Sequence, residues 1–120
     1  MPHLVANYSA NLTELDQHTL LSSVNSALIA THLFSPNDVK SRIFKDEAFL
    51  IGMGDTQDAY IHLKLYLLSG RTAAQKQDLG RVLLAILEQK AYLPVVHESP
   101  IQFCVEVIDM PSEYYFKATV

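Results

Sequence analysis

The stretch AYIHLKLYLLSGRTAAQ, from Ala59 to Gln75, holds a strand, a turn and a helix start in one line. Ile61, Leu63, Leu65 and Leu67 alternate with Tyr60, His62, Lys64 and Tyr66. A period of two puts these sets on opposite faces of a β-strand, Ala59 to Leu68. Ser69-Gly70-Arg71 is the turn. Thr72 with Gln75 fits a capping box, in which hydroxyl and amide satisfy backbone donors reciprocally. A helix is expected from there to about Leu93, with Leu79, Val82, Leu83, Ile86 and Leu87 on its buried side and Pro94 ending it. Further on, Ile101, Phe103, Val105 and Val107 alternate with Gln102, Cys104, Glu106 and Ile108, which predicts a strand from Ile101 to Ile108. Tyr114-Tyr115-Phe116 is expected to form a last edge strand.

Toward the N-terminus the same plan recurs. Pro2 to Tyr8 alternates, with Leu4, Ala6 and Tyr8 on one face and His3, Val5 and Asn7 on the other. Thr13, with Asp16 three residues on, marks a helix start with acids in its first turn. Leu20, Val24, Ala27 and Thr31 form its stripe, widened by Leu21 and Leu28. Its end is expected near Phe34, before the turn cluster Ser35-Pro36-Asn37-Asp38. Val39 to Asp46 reads as a strand, Phe49 to Ile51 as a short extension, and Gly52-Met53-Gly54-Asp55 as a loop. At an offset near 59 residues, His3-Leu4 lies over His62-Leu63 and Thr13 over Thr72. The expected fold is α+β. Two β-α-β units, about 1–55 and 56–120, build a four-stranded mixed sheet with both helices on one face, in one domain spanning 1–120. The face carrying Tyr60, Tyr66 and Leu68 is too apolar to stay wet comfortably, so an oligomer is expected to cover it.

Composition narrows the function. The 120 residues are 49% hydrophobic and 18% charged, enough for a packed core. Nine Lys+Arg against 13 Asp+Glu give net charge −4, with no basic stretch to track a phosphate backbone, so no nucleic-acid partner is expected. Apolar runs such as Val82 to Leu87 are far short of the ~20 residues of a membrane span. No secretory signal is visible, and the expected location is cytoplasmic. Cys104 is the only cysteine, which excludes an internal disulfide, and it reads as a small core residue. His3, His18, His32, His62 and His97 show no metal-ligand spacing, and His3 and His62 are expected to be neighbours on the uncovered face.

Three places can carry chemistry. Removing Met1 from a Met-Pro start leaves the secondary amine of Pro2, and burial or a nearby cation would keep that amine neutral, fit to act as a general base. Arg71 sits where a strand meets a helix start, a common place for anions, though a solvated turn arginine reads equally well. Lys40 and Arg42, two apart in a strand, leave the same face; they form either a carboxylate clamp or a charged edge that discourages aggregation.

Taken together, Pro2-His3-Leu4, Val39-Lys40-Ser41-Arg42, Asp58 to Leu63, Gly70-Arg71-Thr72, the Phe103 to Val107 strand and Phe116-Lys117 resemble a known family in order and spacing across nearly the whole chain. The family is 5-carboxymethyl-2-hydroxymuconate Δ-isomerase, in the tautomerase superfamily with 4-oxalocrotonate tautomerase and macrophage migration inhibitory factor. The resemblance implies a homotrimer with no cofactor. It also implies a proton shift on a dienol di- or tricarboxylate, in the bacterial degradation of homoprotocatechuate. By the same resemblance Pro2 is the base, and Arg71, Lys40 and Arg42 bind substrate carboxylates. The chain departs from the pattern at Lys40, where the family has arginine; lysine keeps the charge but loses the bidentate fork. That departure keeps two alternatives open: an enzyme of the same fold acting on another small acid by decarboxylation, hydration or dehalogenation, and a non-catalytic binding protein.

Overall fold

The computed structural model describes residues 1–120. Four strands form one sheet: β1 (His3–Ser9), β2 (Lys40–Asp46), β3 (Ala59–Leu68) and β4 (Ile101–Met110). Helix α1 (Gln17–Ala30) joins β1 to β2, and α2 (Ala73–Gln89) joins β3 to β4. The strand order is β2-β1-β3-β4. β1 and β2 are parallel, β3 and β4 are parallel, and the two pairs meet antiparallel along β1 and β3.

The predicted alternation decides what is buried. Leu4, Ala6 and Tyr8 of β1 and Ile61, Leu63, Leu65 and Leu67 of β3 point to one side and pack against Leu20, Val24 and Leu28 of α1 and Leu79, Leu83 and Leu87 of α2. Val82, Ile86 and Ala27, expected on the buried stripes, are only half-buried at the flanks. The duplication is exact in the core helices: Leu20, Val24 and Leu28 fall on Leu79, Leu83 and Leu87 at the same offset that superposes His3 on His62. In the β1–β3 ladder Val5 faces Lys64, its own counterpart in the other half. A pseudo-twofold axis therefore passes between these two residues, and equivalent positions sit at opposite ends of the ladder.

That symmetry corrects one expectation. His3 pairs with Tyr66 and His62 pairs with Asn7, so the two histidines share a face but are not neighbours. In an antiparallel ladder matching residues lie farther apart the farther they are from the axis, here at Val5 and Lys64.

Other corrections concern boundaries. Helix α1 starts at Gln17, not Thr13, because Leu12 and Leu15 are buried by a turn in which Leu15 N–H bonds Leu12 C=O. Asp16 is the cap, its carboxylate accepting from Thr19 N–H at 3.1 Å, and no acid lies inside the first turn. The helix ends at Ala30 rather than near Phe34, since the Thr31 hydroxyl takes Leu28 C=O and His32 turns left-handed at φ 61°. The Thr72–Gln75 capping box forms as expected. Helix α2 ends at Gln89, before Leu93, because Lys90 adopts φ 58° and buried Tyr92 donates to Leu87 C=O at 2.7 Å. Pro94 is thus not the terminator. Phe49 to Ile51 makes no strand; Phe49 instead packs edge-on against Tyr60. The aromatic tail makes no strand either: β4 runs on to Met110, and Pro111 leads into a short 3-10 turn, Ser112–Tyr114. Cys104 is exposed on the uncovered face, opposite His62, not in the core. It alternates out of step with Phe103 and Val105, which pack on the core.

The uncovered face is more polar than expected. Tyr60 donates to Asp46, which also accepts from Asn7 at 2.9 Å, and His62 meets Glu106 at 2.5 Å. Burial, together with Asp46, pushes the Tyr60 phenol up to about 12. No helix is long and apolar enough to cross a membrane.

Truncating Leu63, fully buried at the sheet centre, is expected to cost about 2–5 kcal/mol of unfolding free energy, against about 1 kcal/mol for the cap change Thr72→Ala. Denaturant unfolding of Leu63→Ala and Thr72→Ala measures both; equal losses would contradict this placement of the core.

Candidate functional site

The antiparallel meeting of β1 and β3 puts the end of β3 beside the start of β1, since Tyr66 faces His3. Chain leaving β3 passes Gly70 at φ 122°, a conformation that favours glycine, and delivers Arg71 next to the N-terminus. β2 runs parallel to β1 with Lys40 opposite His3, so Lys40 comes to the same end. Register alone therefore assembles Pro2, Lys40 and Arg71.

Pro2 is buried, and its carbonyl accepts from Lys40 N–H at 3.1 Å. With Met1 in place its nitrogen is a peptide nitrogen. The Met1 amine reports on the electrostatics of this corner. Burial is the first cause holding it below the usual 8.0; Asp38 opposes, and Arg71, Lys40 and Lys117 add to the lowering.

Arg71 is not a solvated turn residue. One guanidinium nitrogen, Nη2, donates to Leu33 C=O at 3.0 Å, the Phe34 ring lies 5.3 Å from the guanidinium carbon, and Nε is buried without a partner. The unexpected left-handed turn at His32 is what presents the Leu33 carbonyl and the Phe34 ring there. Lys40 curls back to donate to Asp38 C=O at 3.1 Å.

Arg42 shares the face of Lys40 but joins a different group. Its Nη1 lies 3.3 Å from His3 Nδ1, and His3 Nε2 lies 2.8 Å from the Tyr115 hydroxyl. The site residues thus divide: Lys40 and Arg71 beside the N-terminus, Arg42 one step along on His3. Sequence reasoning missed Asp38 and Lys117 as members of the site. Asp38 was visible only as a turn residue, and Lys117 only through a short likeness, because a tail folding back over the sheet leaves no periodic signal.

Burial first, then Arg42 and Lys40, hold the His3 imidazole below its ordinary 6.5. The unfolded chain then takes up this proton more readily than the fold, so stability is intact above pH 6.5 and is lost as pH falls below it. Denaturant unfolding between pH of about 7.5 and about 5.5 should show that loss, with His3→Gln flattening the slope. An unchanged slope in the variant would remove His3 as its source.

Of the candidate residues, only those at one end of the pseudo-twofold carry positive charge. The positions equivalent to Pro2 and Arg71 are Ile61 and Leu12, and register equates Lys40 and Arg42 with Cys104 and Glu106. The second end of the sheet therefore lacks this cluster of cations.

A family model described as 5-carboxymethyl-2-hydroxymuconate isomerase matches residues 2–120. A 5-carboxymethyl-2-hydroxymuconate Delta-isomerase of Escherichia coli is 28% identical over 89 residues, covering 73% of this chain and 71% of that protein. The crystal structure of a 5-carboxymethyl-2-hydroxymuconate isomerase from Deinococcus radiodurans R1 superposes with a TM-score of 0.86 at 23% identity, covering 99% of this chain and 90% of that one. A fused 4-OT, a symmetric trimer, superposes at 0.68 with 19% identity, covering 92% and 87%. The chain belongs to the 5-carboxymethyl-2-hydroxymuconate isomerase family, with the tautomerase fold, and is an isomerase.

Proposed function

We propose that the protein is a cofactor-independent isomerase that moves a proton within 5-carboxymethyl-2-hydroxymuconate or a closely related dienol carboxylate, with Pro2 as general base. The observation that carries this reading is the convergence of Arg71, Lys40 and Lys117 on an N-terminus already held below its ordinary basicity.

Removal of Met1 makes the Pro2 nitrogen a secondary amine at that place. Cations around it disfavour its protonated form, as they do for the Met1 amine. The neutral amine takes a proton from the enol and returns it to carbon further along the conjugated chain, so the base is regenerated in each cycle. The dienolate formed between the two steps carries its negative charge on oxygen. Arg71 and Lys40 hold the adjoining carboxylates and lower the energy of that charge. Their placement on a strand start and a helix start keeps the reacting carbon beside one base. Arg42, held on His3, takes a more distant carboxylate or serves a neighbouring subunit.

The same reading includes a homotrimer. Tyr60, Tyr66 and Leu68 are only half-buried on the uncovered face, and the fused 4-OT neighbour is a symmetric trimer.

Ultraviolet-monitored ketonisation of 5-carboxymethyl-2-hydroxymuconate tests the proposal, with Met1 loss verified by intact mass. Pro2→Ala should lower kcat by about 100-fold or more. Arg71→Gln should raise KM by about tenfold or more. Full activity in Pro2→Ala would discard the proline base, and no turnover by protein lacking Met1 would discard the substrate.

A further inference from the structure

The last ten residues do something the strands do not. Pro111 stops β4, and the tail then turns back across the start of β1. Two bonds fix its path: Ser112 N–H donates to Ser69 Oγ at 3.2 Å, and the Tyr115 hydroxyl meets His3 Nε2 at 2.8 Å, with the two rings edge to face. Two residues on, Lys117 Nζ arrives 3.4 Å from Asp38 Oδ1 and 3.5 Å from Met1 Sδ.

We infer that Lys117, carried in by the tail, is a further carboxylate-binding cation of this site, exchanging Asp38 for a second carboxylate of the substrate. The inference rests on the function proposed above.

Three features support it. Lys117 touches Met1, so loss of Met1 would bring it to the edge of the space beside Pro2. The groups acting on the N-terminus are Arg71 from the start of α2, Lys40 from β2, Lys117 from the tail, and one anion, Asp38. Three cations against one carboxylate leave a surplus that suits a ligand with more than one negative charge. The Lys117–Asp38 pair is also more than a third exposed on both sides, so little is lost when it parts. Arg71, with its buried unpartnered Nε and planar fork, is the stronger anchor and takes the first carboxylate.

Muconate and sorbate share a hexadienoate chain and differ by one carboxylate, which makes them the probe pair. Calorimetric binding to protein lacking Met1 should show muconate preferred by wild type. Lys117→Met should weaken muconate by about tenfold and leave sorbate unchanged, with Lys117→Arg restoring muconate. Neither substitution alters Ser112 or Tyr115, whose bonds hold the tail. Equal weakening of both ligands would mean that Lys117 only ties down the tail and would overturn the inference, as would no change in either. If wild type turns over 5-carboxymethyl-2-hydroxymuconate yet shows no muconate preference, the Lys117 role alone fails. If it binds neither probe and turns over nothing, the proposed function fails first and this inference with it.

Discussion

The antiparallel pairing of β1 with β3 about Val5 and Lys64 is the constraint on which the rest depends. Each β-α-β half could bury its own helix against two strands, but only this ladder joins the halves into one sheet with one apolar side. It also sets the position of the N-terminus. With Tyr66 opposite His3, the turn after β3 has no choice but to pass the first residues of the chain. Slipping the register by one residue would turn Leu4 and Ala6 to the uncovered face and take the core with them. The core therefore enforces the register, and the register assembles the cations.

Symmetry of backbone and asymmetry of chemistry coexist here for a physical reason. Leu20, Val24 and Leu28 match Leu79, Leu83 and Leu87 because both helices meet the same flat apolar surface, where leucine-sized volume is required on each side. Nothing in that packing restricts the residues beyond the strand ends. Ile61 and Leu12 stand where the other half has Pro2 and Arg71, and the sheet tolerates both arrangements. Ile61 could never supply an amine, being interior to β3. A chain has one N-terminus, so a duplicated unit has one such corner.

What was legible in the sequence divides along the same line. Strand β3 was readable to the residue because four leucine or isoleucine side chains alternate with polar ones, and the capping box of α2 was readable because Thr72 and Gln75 act locally. The start of α1 was not, since Thr13 and Asp16 are both good caps and burial of Leu12 and Leu15 chose between them. Cys104 was misplaced even though it shares the parity of Gln102 and Glu106, the side of β4 that faces out. Within the site, Pro2, Lys40 and Arg71 could be named from chain position and family likeness. The separation of Arg42 onto His3 and the arrival of Lys117 depend on contacts 39 and 79 residues apart in sequence, beyond any local pattern.

The same long-range contacts govern how much charge the corner can carry. An amine kept neutral by neighbouring cations is a better base at neutral pH but a poorer one intrinsically, so the field must be limited. Asp38 provides the limit. Its carboxylate raises the basicity that burial, Arg71, Lys40 and Lys117 depress, and it sits on the turn immediately before β2, at the end of the strand that delivers Lys40. A lysine at position 40 suits this balance, because its compact charge can curl onto the Asp38 carbonyl, which an arginine fork would not match as closely. Lys40 thus belongs with Asp38 and Lys117 as one electrostatic unit, with part of its positive charge carried by the C-terminal tail rather than by the strand.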